Sequence, residues 1–421
     1  PHDHGLAREF FYPLGTDPLG FSDRDQDVRA EDQVVLALRV LGTDPSTALD
    51  VFSGPEDEHG LPTVDADVAW LFTEDADLLD DGRALGNTLA VALVDARADD
   101  PREAALAARA YVGFLADHAE ELPDDSRAGI GTVLGEYVIG VDAAVRYGSD
   151  GEAGSPDDAL LDLTGHDLAF AAGGRPVPVF ARGDIEALLG QLAGDPAGRA
   201  ALLVGASALT EARLAFGAHQ DLAHREAGRA GWEDFGGLTV QAGQASSFEG
   251  FLVEQLGYAG IGDAAERDAR RAEYVDLISG EAFGLIPTPA GRVAGVAVGL
   301  GTSVIQDRVT EALQTDYEGQ ARSDARDLQD DRRDLLRGQV GDTALAVGLL
   351  EPDATLAGWE EPLRGWPTDA DGVPIPYWNL PEDQRTRWEQ QWYQQSTAMR
   401  PVETTVLTEW ESEWTAFREE P

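Results

Sequence analysis

Apolar residues recur at helical spacing along most of the chain. Between Asp32 and Leu41, Val34, Val35, Leu38 and Leu41 fall at i, i+1, i+4 and i+7, and Gly42 follows where a helix stops. A second helix is predicted from Asp44-Pro45-Ser46 to Phe52, with Pro45 at its first position. The same punctuation by Asp, Pro and Gly predicts helices over 65–72, 82–98, 101–119, 126–147, 184–192 and 196–228. The stretch from Ala159 to Ala181 reads differently. Leu161, Leu163, Leu168 and Phe170 precede Gly173-Gly174, and Val177 and Val179 follow, which predicts a short β-hairpin near 160–181. Pro176 and Pro178 demote its second arm to an edge.

Helical spacing resumes from Ala242 through Tyr258, and a charged helix is expected from Asp263 to Ile278. After the break at Pro287-Thr288-Pro289, Gly291, Gly295 and Gly299 fall four apart, a smooth face that another helix can approach closely. From Thr310 to Arg337 Asp and Arg interleave as a solvated helix face. Beyond Glu351 the composition changes: seven of the nine Trp lie there, and Pro-rich turns precede two helices. One carries Trp388 and Trp392, the other Trp410, Trp414 and Phe417. So many apolar rings need cover, so these five residues are the candidate surface for docking on the body or on a partner.

The predicted class is mainly α, an elongated multi-helix bundle with the hairpin and a Trp-rich C-terminal arm. Composition shifts, beginning with the Gly, Ser, Asp and Pro of 148–158, suggest four segments: helical 1–150, hairpin plus helices 151–240, the glycine-faced region 241–350 and the arm 351–421. With 421 residues and 43% hydrophobic content the chain can bury sizeable cores.

Charge narrows the chemistry. There are 31 basic and 78 acidic residues, a net charge of −47, which repels phosphate backbones and anionic lipid at long range. All the basic residues are Arg and Cys is absent. That excludes a Walker A loop, a Schiff-base lysine, a thiol nucleophile, Cys-ligated zinc and disulfides. The Arg, Ala, Gly and Asp bias fits either a GC-rich genome or salt adaptation. The longest uncharged, mostly apolar run in the glycine-faced region, from Val293 to Ile305, is about 13 residues, short of the roughly 20 that span a bilayer. No stretch of the chain is expected to reach that length.

Candidate catalytic constellations fall one by one. His219 and His224 are five apart and do not share a helix face, as a His-Glu-x-x-His zinc site needs. Asp221 and His224 do share one, but no nucleophile elbow accompanies them, and a surface pair is expected. His2 and His4 read as a ragged chain start, and Asp23, Asp25 and Asp27 lack the Gly and Glu of a calcium loop. Gly129, Gly131 and Gly135 have the wrong spacing for a dinucleotide loop and follow a helix start, not a strand. No catalytic residue, metal ligand or cofactor is assigned. The chain opens at Pro1 without Met or a signal-peptide pattern, so a fragment or processed product is expected.

Three phrases resemble a known set: Leu78-Leu79-Asp80-Asp81-Gly82-Arg83-Ala84-Leu85-Gly86, then Leu122-Pro123-Asp124-Asp125, then Leu285-Ile286-Pro287-Thr288-Pro289-Ala290-Gly291. Over roughly residues 6 to 310 the chain resembles the large, mostly helical actinobacterial proteins that accompany WxG-type substrates of type VII secretion. The resemblance implies an exported or secretion-associated protein, sometimes the carrier part of a longer toxin-like chain. This chain has no Trp-x-Gly turn and no Tyr-x-x-x-Asp/Glu export signal, so such a module is expected in a partner or in further sequence. The leading expectation is a non-enzymatic exported scaffold or carrier, secreted or at the cell surface, with protein partners or self-association. A secreted carboxylate-based hydrolase is second, and a membrane-inserting protein third.

Overall fold

The computed structural model describes residues 33–73, 78, 80–164, 166–228, 235–258, 333, 336–344, 347–349 and 402–419. The fold is mainly α, with one small two-stranded antiparallel sheet. In chain order the helices are α1 (33–41), α2 (Pro45–Phe52), α3 (Ala66–Leu71), α4 (Arg83–Leu93), α5 (Pro101–Asp117), α6 (Arg127–Glu136) and α7 (Val138–Tyr147). They continue with α8 (Leu168–Ala172), α9 (Arg182–Leu192), α10 (Pro196–Glu226), α11 (Gly236–Tyr258), α12 (336–344) and α13 (Leu407–Glu419). The strands are β1 (Ser53–Glu56) and β2 (Pro62–Val64).

The predicted starts are capped as their chemistry requires. The Asp44 carboxylate accepts from the Thr47 amide at 3.2 Å, with Pro45 at the first helical position of α2. Asp65 accepts from Asp67 and Val68 at the start of α3, and Asp100 from Glu103 at the start of α5. Each cap satisfies amides that a helix leaves unpaired and stabilises by about 1 kcal/mol. At the far end of α7, Gly148 takes φ +64°, the left-handed conformation that closes a helix.

The chain forms two compact units. Of the described residues, those within 33–162 and Arg175–Leu202 belong to unit 1, and those within Leu163–Gly174 and 203–419 to unit 2. α10 runs through both in sequence. The linker candidate 148–158 lies within unit 1.

In unit 1, Tyr111 of α5 is fully buried between the rings of Phe52 and Phe72, with centroids at 5.6 and 6.2 Å. Its hydroxyl donates to the Phe52 carbonyl at 2.8 Å, which accounts for the end of α2. The predicted single helix over 126–147 is instead two, α6 and α7, bent by 75° at Tyr137. The bend has a fastener, for the buried Tyr137 hydroxyl donates to the Leu93 carbonyl at the end of α4, at 2.7 Å.

The hairpin expected near 160–181 is corrected in form. Among the described residues there, one antiparallel bridge forms, between Leu160 and Pro178, with hydrogen bonds from Leu161 to Val177 and from Val179 to Ala159. Gly173-Gly174 is no hairpin turn. Leu168–Ala172 is helix α8, and Gly173 at φ +60° is its stop. The Gly-Gly pair therefore served the other use of left-handed glycine. The regular sheet lies at β1 and β2, paired Ser53 to Val64 and Glu56 to Pro62, and its prolines keep it short.

Candidate functional site

Glycines bring helices together, at positions other than those the spacing singled out. Gly291, Gly295 and Gly299 lie outside the described residues. In unit 1 the approach is between α4 and α6: a side chain on Gly129 would sit inside the Gly86 carbonyl. Gly131 and Gly135 lie about 200° and 240° around α6 from Gly129. A side chain there would strike the backbone of Gly198 and Ala201 at the start of α10. The Gly129-x-Gly131-x-x-x-Gly135 run is thus a helix squeezed on two sides, a reading that needs the partner helices to be known.

Two ion pairs are buried beside the bend. Arg97 donates to the Glu136 carboxylate at 3.1 Å, with side-chain exposures of 9% and 1%, and lies over the Tyr137 ring at 4.6 Å from its centre. Arg146 donates to Asp142 at 2.7 Å one turn away, and the Asp142 side chain is fully buried. Burial also pushes the Tyr137 hydroxyl well above its ordinary range.

The half-buried carboxylate chemistry of unit 1 gathers where α5 meets the start of α9. Arg109, Gly113 and Asp117 fall one turn apart on α5, and Gly113 leaves room for the Asp184 carboxylate, which a side chain there would meet at 3.6 Å. Desolvation raises the Asp184 pKa, Asp117 adds to the shift, and Arg109 opposes it. Desolvation lowers the Arg109 pKa against the pull of Asp184 and Asp57, while its guanidinium donates to the Gly151 carbonyl. The arrangement can hold a proton at Asp184 to a higher pH than an exposed aspartate does.

In unit 2, α10 and α11 pack antiparallel. Gly217 faces Gly237, each leaving space that a side chain would fill against the other's carbonyl at 2.7 and 2.5 Å. Further along, Arg213 donates to the Gln244 carbonyl at 3.3 Å, and Thr210 to the Glu249 carboxylate at 2.8 Å. Asp221, expected on the surface beside His224, is buried. Its two carboxylate oxygens accept from the Gly237 and Leu238 amides at 2.6 and 3.0 Å, so α10 supplies the cap of α11. The surface reading failed because a cap from another helix leaves no local spacing signal.

The opposite side of α11 receives the C-terminal segment. A π-helical turn, Val402–Val406, leads into α13. Val406, Leu407 and Trp410 are fully buried. The Ser246 hydroxyl donates to the Trp410 carbonyl at 2.7 Å, and Ser247 to Glu413 at 2.9 Å. A side chain on Gly243 would meet Glu409 at 3.2 Å, so the helix lies directly over it. Arg333 pairs with Glu411 at 2.9 Å. Of the docking residues expected from sequence, Trp410 is therefore placed at the centre of a helix contact. Trp388 and Trp392 lie outside the described residues, as do the side chains of Trp414 and Phe417. Gly243, Ser246 and Ser247 were missed, though small residues at i, i+3 and i+4 were visible as a helix-accepting stripe.

Among the described residues, no group of three or more His, Asp or Glu is placed to hold a metal ion. One described helix, α10, is long and apolar enough to cross a membrane, against the sequence expectation that none would be. The apolar stretch is mostly buried in the protein, as in a core helix.

Architecture and contacts together define a mainly helical protein in which buried polar side chains such as Tyr111, Tyr137, Asp221 and Ser246 bond to the backbone of other helices. The chain belongs to a family of unknown function, DUF6571, whose model matches residues 76–398. No curated protein and no solved structure matches it significantly.

Proposed function

We propose that the chain is a non-enzymatic scaffold or carrier associated with type VII secretion, acting through protein contacts. The observation that carries the non-enzymatic part is how buried polar side chains are used. Thr88, Tyr111, Tyr137, Asp221 and Ser246 each end on a backbone group of another helix. A catalyst needs such groups converging on one open site, whereas here they fasten a body. The Asp184 cluster is the observation that favours the second reading, a carboxylate-based hydrolase, since a raised carboxyl pKa suits a general acid.

The secretion part rests on the three sequence phrases at 78–86, 122–125 and 285–291. It is tested by expressing the tagged chain in an actinobacterial host with and without its type VII secretion ATPase. The expected result is protein in the culture filtrate of the intact host only. Equal amounts in both filtrates overturn the assignment to this route.

A further inference from the structure

We propose that α13 is a transferable docking helix: the face of α11 built by Gly243, Ser246 and Ser247 accepts it from a second copy of the chain as well as from its own. The described contacts of the face fall within one short segment: Ser246 takes the Trp410 carbonyl, Ser247 takes the Glu413 carboxylate and Gly243 lies under Glu409, while Val406, Leu407 and Trp410 of the same segment are fully buried. None of these contacts depends on the chain being continuous with α11.

α13 has 13 residues, near the lower limit at which an isolated helix holds together in water, so its order derives from the face it covers. Uncovering that face exposes it and the buried side of Trp410 together, an apolar surface that favours immediate refilling. The segment complementary to it is written in every copy of the chain. Residues 350–401 separate it in sequence from the described residues that precede it. The family match also ends at 398, leaving α13 outside and its receiving face inside.

A second copy approaches against repulsion. Each copy carries −47, and added salt shortens the reach of that field, so exchange between copies should grow with ionic strength. A docking mode carried by cross-copy ion pairs would weaken instead.

The test uses the full chain with Trp410→Ala, which loosens its own helix, and a fluorescent synthetic peptide of residues 402–419. Its own tethered helix competes at an effective concentration on the order of millimolar, so wild type should bind the peptide at least about tenfold more weakly than Trp410→Ala. Adding Gly243→Leu should abolish binding. If folded Trp410→Ala binds no better than wild type, or the double variant binds equally well, the proposal falls.

Should Trp410→Ala fail to fold by circular dichroism, a specific protease site placed after Asp371 in wild type replaces it. After cleavage, excess labelled peptide should displace the released fragment. A fragment that stays bound, or a peptide that never enters, overturns the proposal. The second-copy part is read by mixing tagged and untagged wild type at high concentration. Co-purification that rises with salt and is lost with Gly243→Leu supports it, and none at any salt overturns it.

Discussion

Both units bring helices into backbone contact through a glycine pair, Gly86 with Gly129 in unit 1 and Gly217 with Gly237 in unit 2, yet the charge buried at the bend of unit 1 and that at the head of α11 in unit 2 are held differently. Unit 1 surrounds a bent helix with closed ion pairs, Arg97 with Glu136 and Arg146 with Asp142. Unit 2 uses the charge of Asp221 to finish a helix end and receives a segment from far along the chain. A buried ion pair holds a shape only while both partners remain, because either alone is an uncompensated charge. A cap with two backbone donors degrades more gently, since water or a neutral acceptor can replace part of it. The bend of unit 1 is thus the brittle element and the antiparallel α10–α11 pair of unit 2 the tolerant one.

The largest effect that would break this contrast is expected at Glu136. Glu136→Ala leaves the Arg97 guanidinium buried without its carboxylate and should cost about 3 to 5 kcal/mol. Arg97→Ala with Glu136→Ala should cost less than the sum of the two single changes. Urea denaturation of the three variants measures the coupling, and simple additivity would mean the pair is not what holds the bend.

Next comes Gly129→Ala. By helix propensity alone it should stabilise by about 0.5 to 1 kcal/mol, but the methyl has to displace the Gly86 carbonyl. The clash is with backbone, which has no rotamer to escape into, so the expected net loss is about 3 kcal/mol. Gly190→Ala, in α9 with open space around it, is the control and should be neutral or stabilising. Equal melting temperatures for the two variants would show that α4 and α6 have room to part.

Asp221→Ala is the corresponding test in unit 2. It strands the Gly237 and Leu238 amides and should cost about 2 kcal/mol, while Asp221→Asn, which keeps an oxygen acceptor, should recover part of the loss. A loss as large as that of Glu136→Ala would erase the distinction between brittle and tolerant charge.

Much of this was legible in the chain. Asp44-Pro45, Asp65 and Asp100-Pro101 announce helix starts because a cap is a local event, settled within four residues. The bend at Tyr137 was not legible: apolar residues run through 126–147 without a proline, and the fastener is the Leu93 carbonyl, far away in sequence. Asp221 failed for the same reason, its partners being 16 and 17 residues on. Of the docking site, the Trp410 side was legible from aromatic density, whereas the receiving face on α11 offered only the small-residue spacing of Gly243, Ser246 and Ser247, which does not say what the stripe receives.

The smallest effect expected concerns Asp184, a half-buried carboxylate of unit 1. The folded pKa of Asp184 is raised above the ordinary value of 3.8, chiefly by desolvation, so its favourable contribution is complete below that pH and is lost as pH rises through the folded value. At neutral pH the ionised carboxylate is a liability that Arg109 only partly offsets, and the group is exposed enough for solvent to screen much of it. Asp184→Asn should therefore melt slightly higher than wild type at pH 7, and the gap should close as pH falls towards 4. Thermal melts of both proteins across that range decide the sign. A variant that melts lower at pH 7 would mean that the attraction to Arg109 and the start of α9 outweighs desolvation, and would make Asp184 a third closed charge of unit 1.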